Sequence, residues 1–154
     1  MIGCFINIKI IGGFYVTTIK EQAVKMAKRV SRIYGGNPVV TVYEFDENVL
    51  CDTDINKRVF KKPTEDWALF VINNRNRKFE PHSDTECNLD NKYDLVIGPI
   101  ADDDLALLFR QFSNGLIDVD VLVKEMEFKQ LTDQYSFHTE KALKYLKKVG
   151  VLNE

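Results

Sequence analysis

The sequence predicts an α+β fold in a single domain. The runs 39–45 and 93–99 carry the β-branched and aromatic content of strands, while 18–34, 102–112 and 139–149 are apolar at helical spacing and open on capping residues. These runs follow one another in mixed order rather than in strict alternation, which favours α+β over a doubly wound sheet. At 154 residues, 45% hydrophobic and 29% charged, the chain is long enough for one real core and too short for two ordinary domains, so 1–154 is read as one unit.

Totals exclude several classes of function. Twenty-one Lys and Arg against 23 Asp and Glu leave a formal charge of -2, so no global basic field advertises nucleic acid or an anionic membrane. No apolar run is long enough to cross a bilayer, and the opening lacks the basic start and cleavage site of a signal peptide. The expectation is a cytoplasmic protein with no membrane partner. Cys4, Cys51 and Cys87 are an odd count without a CxxC pair, and the two histidines are isolated, so reduced thiols are expected and a zinc site is not.

In chain order, Gly3 to Ile11 reads as a strand of apolar residues interrupted by Asn7 and Lys9. Gly12-Gly13-Phe14-Tyr15-Val16-Thr17 reads as a glycine pair leading an aromatic strand. Thr18 and Glu21 stand at capping-box spacing, and Ala23, Met26, Ala27, Val30, Ile33 and Tyr34 form one apolar helical face that Gly35-Gly36 stop. Such a strand-to-helix junction aims amide donors at one spot and suits an anion; equally, it is a tight turn with no ligand. Val39 to Phe45 is the clearest strand, Val59-Phe60 a short one, and Pro63-Thr64 start a second helix with Trp67, Phe70, Val71 and Asn74 on one face. The basic run 73–78, with Arg75, Arg77 and Lys78, is either the solvated end of that helix or a phosphate or nucleic-acid contact. His82 carries no assigned chemistry.

Tyr93 to Pro99 reads as a buried strand stopped by Gly98-Pro99. Asp102-Asp103-Asp104 open a helix with Leu105, Leu108, Phe109 and Phe112 inward; the acids are dipole-favoured residues or candidate ligands for a metal or substrate. Asp118 caps a short helix with Val121, Leu122 and Met126 inward. Gln134 to His138 reads as the last strand, with Tyr135 and Phe137 on one side and Gln134, Ser136 and His138 on the other. Thr139 caps a final helix, its Ala142, Leu143, Leu146 and Val149 packed inward.

The strand Gly12-Gly13-Phe14-Tyr15 before a helix bearing Ala23 resembles the second motif of ADP-ribosyltransferases of the poly(ADP-ribose) polymerase and diphtheria-toxin type. More broadly, Phe14 to Thr18, Tyr93 to Asp103 and Gln134 to Leu143 resemble a bacterial domain family of unknown function placed in that superfamily. The resemblance implies a split mixed β-sheet with flanking helices, and NAD as substrate. It puts Gly13 and Tyr15 at the nicotinamide side of the cleft, Tyr15 as the stacking aromatic, and Gln134 at the third-motif position where active relatives usually carry glutamate. A glutamine still hydrogen-bonds the ribose but brings no charge to the developing cation. His138 shares the face of Gln134 and is read either as a site residue or as an ordinary core or surface histidine.

The first motif departs from the pattern: 1–11 contains no His and no Arg. The chain is therefore an N-terminally shortened version, or Asn7 or Lys9 substitutes, or activity is gone. The implied function is NAD-dependent mono-ADP-ribosyl transfer to an unknown acceptor macromolecule, in a toxin-antitoxin or phage-defence setting with an antitoxin protein as a partner. The alternatives are an inactive NAD- or ADP-ribose-binding or interaction domain of the same fold, and a phosphate or nucleic-acid module built on Arg75, Arg77 and Lys78.

Overall fold

A computed structural model gives the fold and describes residues 2–3, 13–75, 86–99, 103–128 and 133–153. The strands are β1 (Ile2–Gly3), β2 (Phe14–Thr17), β3 (Val39–Phe45), β4 (Lys57–Val59), β5 (Leu95–Pro99), β6 (Asp133–Phe137) and β7 (Leu146–Asn153). The helices are α1 (Lys20–Tyr34), α2 (Glu65–Arg75), α3 (Asp103–Ser113), α4 (Val119–Phe128) and the short α5 (Glu140–Leu143). The strands form one mixed sheet in the order β4-β5-β6-β2-β1-β3-β7. Only β4 and β5 run parallel; every other neighbouring pair is antiparallel. This is the α+β class that the order of elements predicts. The two halves of the sheet meet at β1, whose Ile2 pairs with Thr17 on one side and Val42 on the other.

Each side of the sheet has its own core. On one side Val16, Leu95, Ile97 and Phe137 pack with Val49, Ile55 and Ala142, and the rings of Phe14, Tyr43, Phe45 and Tyr135 close around them. On the other, Val96 is covered by Trp67, Ala68 and Phe70 of α2, Leu105 and Phe109 of α3, and Leu122 and Met126 of α4, with Phe60 beside them. Gly98 lets α2 come this close: a Cβ there would stand 3.2 Å from the Phe60 Cβ and 3.3 Å from the Trp67 indole. Farther along the sheet, Ala23 and Ala27 of α1 pack on Val40 and Leu152. The register Thr17, Ile2, Val42 carries strand parity across β1, so α1 lies on the same side of the sheet as α2, α3 and α4.

Several elements differ from the sequence expectation for identifiable reasons. Helix α1 starts at Lys20 with Ile19 as an N-cap that makes no side-chain bond, so the Thr18–Glu21 capping box does not form. The turn is held by the buried Thr17 instead, whose hydroxyl accepts from the Ile19 amide (3.2 Å) and donates to Gln22 Oε1 (3.1 Å). Ile33 and Tyr34 are exposed because α1 outruns the strands beneath it, and Gly35 ends it at φ 81°. Gly98 and Pro99 do not stop β5; they are buried within it, paired with Gln134 and Asp133. Val121 of α4 is exposed, while Leu122 and Met126 are fully buried as expected.

The largest correction is the C-terminal segment. The helix capped by Thr139 lasts only four residues, and 146–153 is strand β7 rather than helix. Pairing along the whole length of β3, which wins over the local helical pattern, accounts for this. The strand Gln134 to His138 is therefore not the last one. A register shift between Val42 and Tyr43 leaves Val149 between the paired Lys148 and Gly150. The proposed strand 4–11, with Asn7 and Lys9, and the residues Gly12, Arg77, Lys78, His82 and Asp102 lie outside the described residues. Cys51 is exposed and Cys87 buried, both as free thiols.

A buried carboxylate ties the ends of β5 and β6 to the loop before β4. Asp94 accepts from the Thr139 hydroxyl (2.6 Å) and the Asn56 amide (2.9 Å), and Lys141 stands 3.5 Å away. The Asp94 carbonyl accepts from the His138 amide at 2.8 Å. Burial alone would raise the Asp94 pKa; the Thr139 and Asn56 hydrogen bonds and the Lys141 charge outweigh it, leaving the pKa below the usual 3.8. A depressed carboxylate adds stability that is present above its unfolded value and lost as pH falls through its folded value. Asp94→Asn should cost about 3 kcal/mol at neutral pH, as for breaking a buried charge pair. Denaturant melts below pH 3.8 should show a shallower loss of stability in the variant than in the wild type. Equal acid slopes would remove Asp94 from the acid response.

Candidate functional site

The register of β2 against β6 assembles the polar side chains. Phe14 faces Phe137, Tyr15 faces Ser136, Val16 faces Tyr135 and Thr17 faces Gln134. Alternation sends Phe14, Val16, Tyr135 and Phe137 into one core and leaves Tyr15, Thr17, Gln134 and Ser136 on the opposite side. His138 continues that polar row one residue beyond β6. The row therefore runs on the side of the sheet that carries α1 over β3 and the α2–α4 layer over β5.

Gly13 and His138 are fitted to one another. A Cβ at Gly13 would lie 2.9 Å from His138 Cε1 and 3.0 Å from Nδ1, so the imidazole occupies the room that the missing side chain leaves. The ring stands edge-on to Tyr15, with centroids 6.3 Å apart and planes at 84°. Below it, Ser136 Oγ donates to the Val96 carbonyl (3.2 Å) and lies 3.2 Å from His138 Nε2. With its own proton committed to Val96, the serine oxygen accepts from the ring, which places a proton on Nε2. Backbone and side chain thus both orient His138: the amide through Asp94, the ring through Ser136 and Gly13.

Tyr15 is the other fixed group. Burial pushes its phenol up to about 12, with the nearby Arg75 charge pulling the other way, so at neutral pH it is an uncharged hydroxyl on an aromatic plate. Gln134 is half-buried in the same row. Its amide offers a donor and an acceptor and no charge. The row has the composition of a site for a planar, polar ligand: one aromatic ring, one imidazole, one amide and two hydroxyls.

Four of the residues singled out in the sequence, Gly13, Tyr15, Gln134 and His138, are brought together here. Asp103 is not among them: it is the first residue of α3. Among the described residues, no group of three or more His, Cys, Asp and Glu side chains is placed to hold a metal ion. Two participants escaped the sequence reading. Alternation already put Ser136 on the right face, whereas Arg75 reaches Tyr15 from a helix sixty positions away and leaves no local signal.

Gly13→Ala should push the imidazole aside and cost about 1–3 kcal/mol by overpacking. NMR should show the His138 ring resonances shifted in the variant. Unchanged resonances would deny the Gly13–His138 contact.

A protein-family model described as "Protein of unknown function (DUF3990)" matches residues 11–148. No curated protein and no solved structure matches the chain. No helix among the described residues is long and apolar enough to cross a membrane. The match spans both strands of the polar row and all five helices, and the chain belongs to the DUF3990 family.

Proposed function

We propose that the chain is an ADP-ribosyltransferase-like protein that takes NAD as substrate and transfers ADP-ribose to an acceptor macromolecule. The observation that carries this reading is the juxtaposition of Tyr15 with Gln134, Ser136 and His138 on one polar face across the β2–β6 register. Tyr15 is a neutral, anchored ring against which a nicotinamide would stack. Gln134, two residues from Ser136 on the same face, would hydrogen-bond a ribose hydroxyl. The bond between ribose C1′ and the nicotinamide nitrogen breaks, its electron pair leaves with nicotinamide, and the acceptor's nucleophile attacks C1′. His138, with Nε2 tied to Ser136, borders the ring that would hold nicotinamide. A sheet whose halves meet only at the two-residue β1 is also compatible with the split arrangement of that superfamily.

The neutral Gln134 amide favours a second reading, an NAD- or ADP-ribose-binding domain without turnover. An amide cannot supply the negative charge that a carboxylate gives to the developing oxocarbenium ion, a contribution of about 2.7–4 kcal/mol where comparable electrostatic groups are removed. A toxin or phage-defence role with an antitoxin partner belongs to the first reading.

Labelled NAD incubated with the protein and cell extract should yield labelled macromolecules or free nicotinamide. Tyr15→Ala should lower that rate by about a hundredfold, and Gln134→Glu should raise it by about tenfold or more. NAD binding by calorimetry with no release of nicotinamide, in the wild type and in Gln134→Glu alike, would favour the binding domain. Absence of both binding and turnover removes both readings.

A further inference from the structure

We infer that the Arg75 guanidinium is the anion-binding group of the Tyr15 site and takes the diphosphate of a dinucleotide or of ADP-ribose. This deepens the reading above and rests on it for the identity of the ligand. The first eleven residues hold no Arg and no His, so a cation for a dinucleotide's phosphates has to come from elsewhere in the fold.

Arg75 is the last residue of α2, on the side of the sheet that carries Tyr15. That helix end is fixed on both flanking sides. Asn74 is buried, donates to the Phe70 carbonyl (2.7 Å) and accepts from the Asn88 amide (2.8 Å), while Asn73 donates to the Glu86 carbonyl (3.1 Å). The guanidinium itself is exposed and lies over the Phe109 ring, 5.8 Å from its centroid. A cation seated on an aromatic ring keeps its in-plane N–H groups directed outward, the arrangement that suits bidentate contact with phosphate oxygens. Glu86, tied to the same helix end through its carbonyl, turns its carboxylate to Arg58 (3.6 Å) and the Tyr93 hydroxyl (3.4 Å). The Arg75 charge reaches the Tyr15 phenol, where it works against the effect of burial. One charged fork and one stacking ring, carried by a helix end and a strand, match a ligand with an aromatic base and a diphosphate.

The experiment is calorimetry on the full chain with ADP-ribose, inorganic diphosphate and nicotinamide, for wild type, Arg75→Ala and Arg75→Lys. Arg75→Ala should weaken ADP-ribose and diphosphate by about tenfold or more and leave nicotinamide unchanged. Arg75→Lys, which keeps the charge without the fork, should fall between the two. The side chain is exposed, so melting curves of both variants should overlay the wild type. Unchanged ADP-ribose and diphosphate affinity in Arg75→Ala overturns the inference, as does a wild type that binds neither. Arg75-dependent diphosphate binding without nicotinamide binding or NAD turnover would uphold the anion site and count against the transferase reading alone.

Discussion

The register of β2 against β6 is the constraint on which the rest depends. Side chains alternate along both strands, so a slip of one residue would carry Tyr15 and Ser136 into the core and turn Val16 and Phe137 toward the polar row. The pairing is held from its apolar side. Phe137 is almost fully buried and meets the Phe45 ring edge-on, with Tyr135 against the same ring. Burying a side chain of this size contributes about 1.5–3 kcal/mol, so the slipped register is heavily disfavoured. The row that carries the chemistry is thus kept in place by residues that take no part in it.

Polar groups inside the fold are joined to backbone at segment ends rather than scattered. Asn88 grips Tyr93 at both its amide and its carbonyl, Asn74 reaches from α2 to Asn88, and Asp94 binds Thr139 and Asn56. Each of these side chains supplies partners that loop backbone cannot find within a helix or strand, and a buried group left unpaired costs about 1–3 kcal/mol. Together they bring the start of β5, the exit of β6 and the end of α2 to fixed positions. Tyr145 hydrogen-bonds Asp52 and lowers its pKa in a similar manner at the opposite core, binding the loop before β4 to the segment before β7.

Much of this was legible in the sequence where local pattern and tertiary context agree. The content of 39–45 and the Tyr15, Gln134 and His138 faces could be read because alternation in a strand is a local property. Asp118 caps α4 as its position implies, its carboxylate accepting from the Val121 amide at 2.8 Å. The segment 140–149 misled because Ala142, Leu143, Leu146 and Val149 also fit a helix, and only β3, a hundred positions earlier, selects the strand. Likewise the hydroxyl of Thr18 and that of Thr17 look equivalent in sequence; burial of Thr17 between β2 and α1 decides which one orders the turn. Contacts such as Asp94 with Thr139 or Arg75 with Tyr15 join distant segments of different type, so no periodicity announces them.

Strand β7 closes the sheet on one side, and its outer backbone groups form the kind of row on which a second chain can template itself. The register shift opposite Val42 and Tyr43 breaks the regular spacing of that row, and the exposed Lys147 and Lys148 put two positive charges beside the irregularity. An identical strand approaching edge to edge would meet both mismatched spacing and like charge. The same eight residues that contradicted the helical pattern therefore give the molecule a guarded border, and its solubility depends on them as much as its fold does.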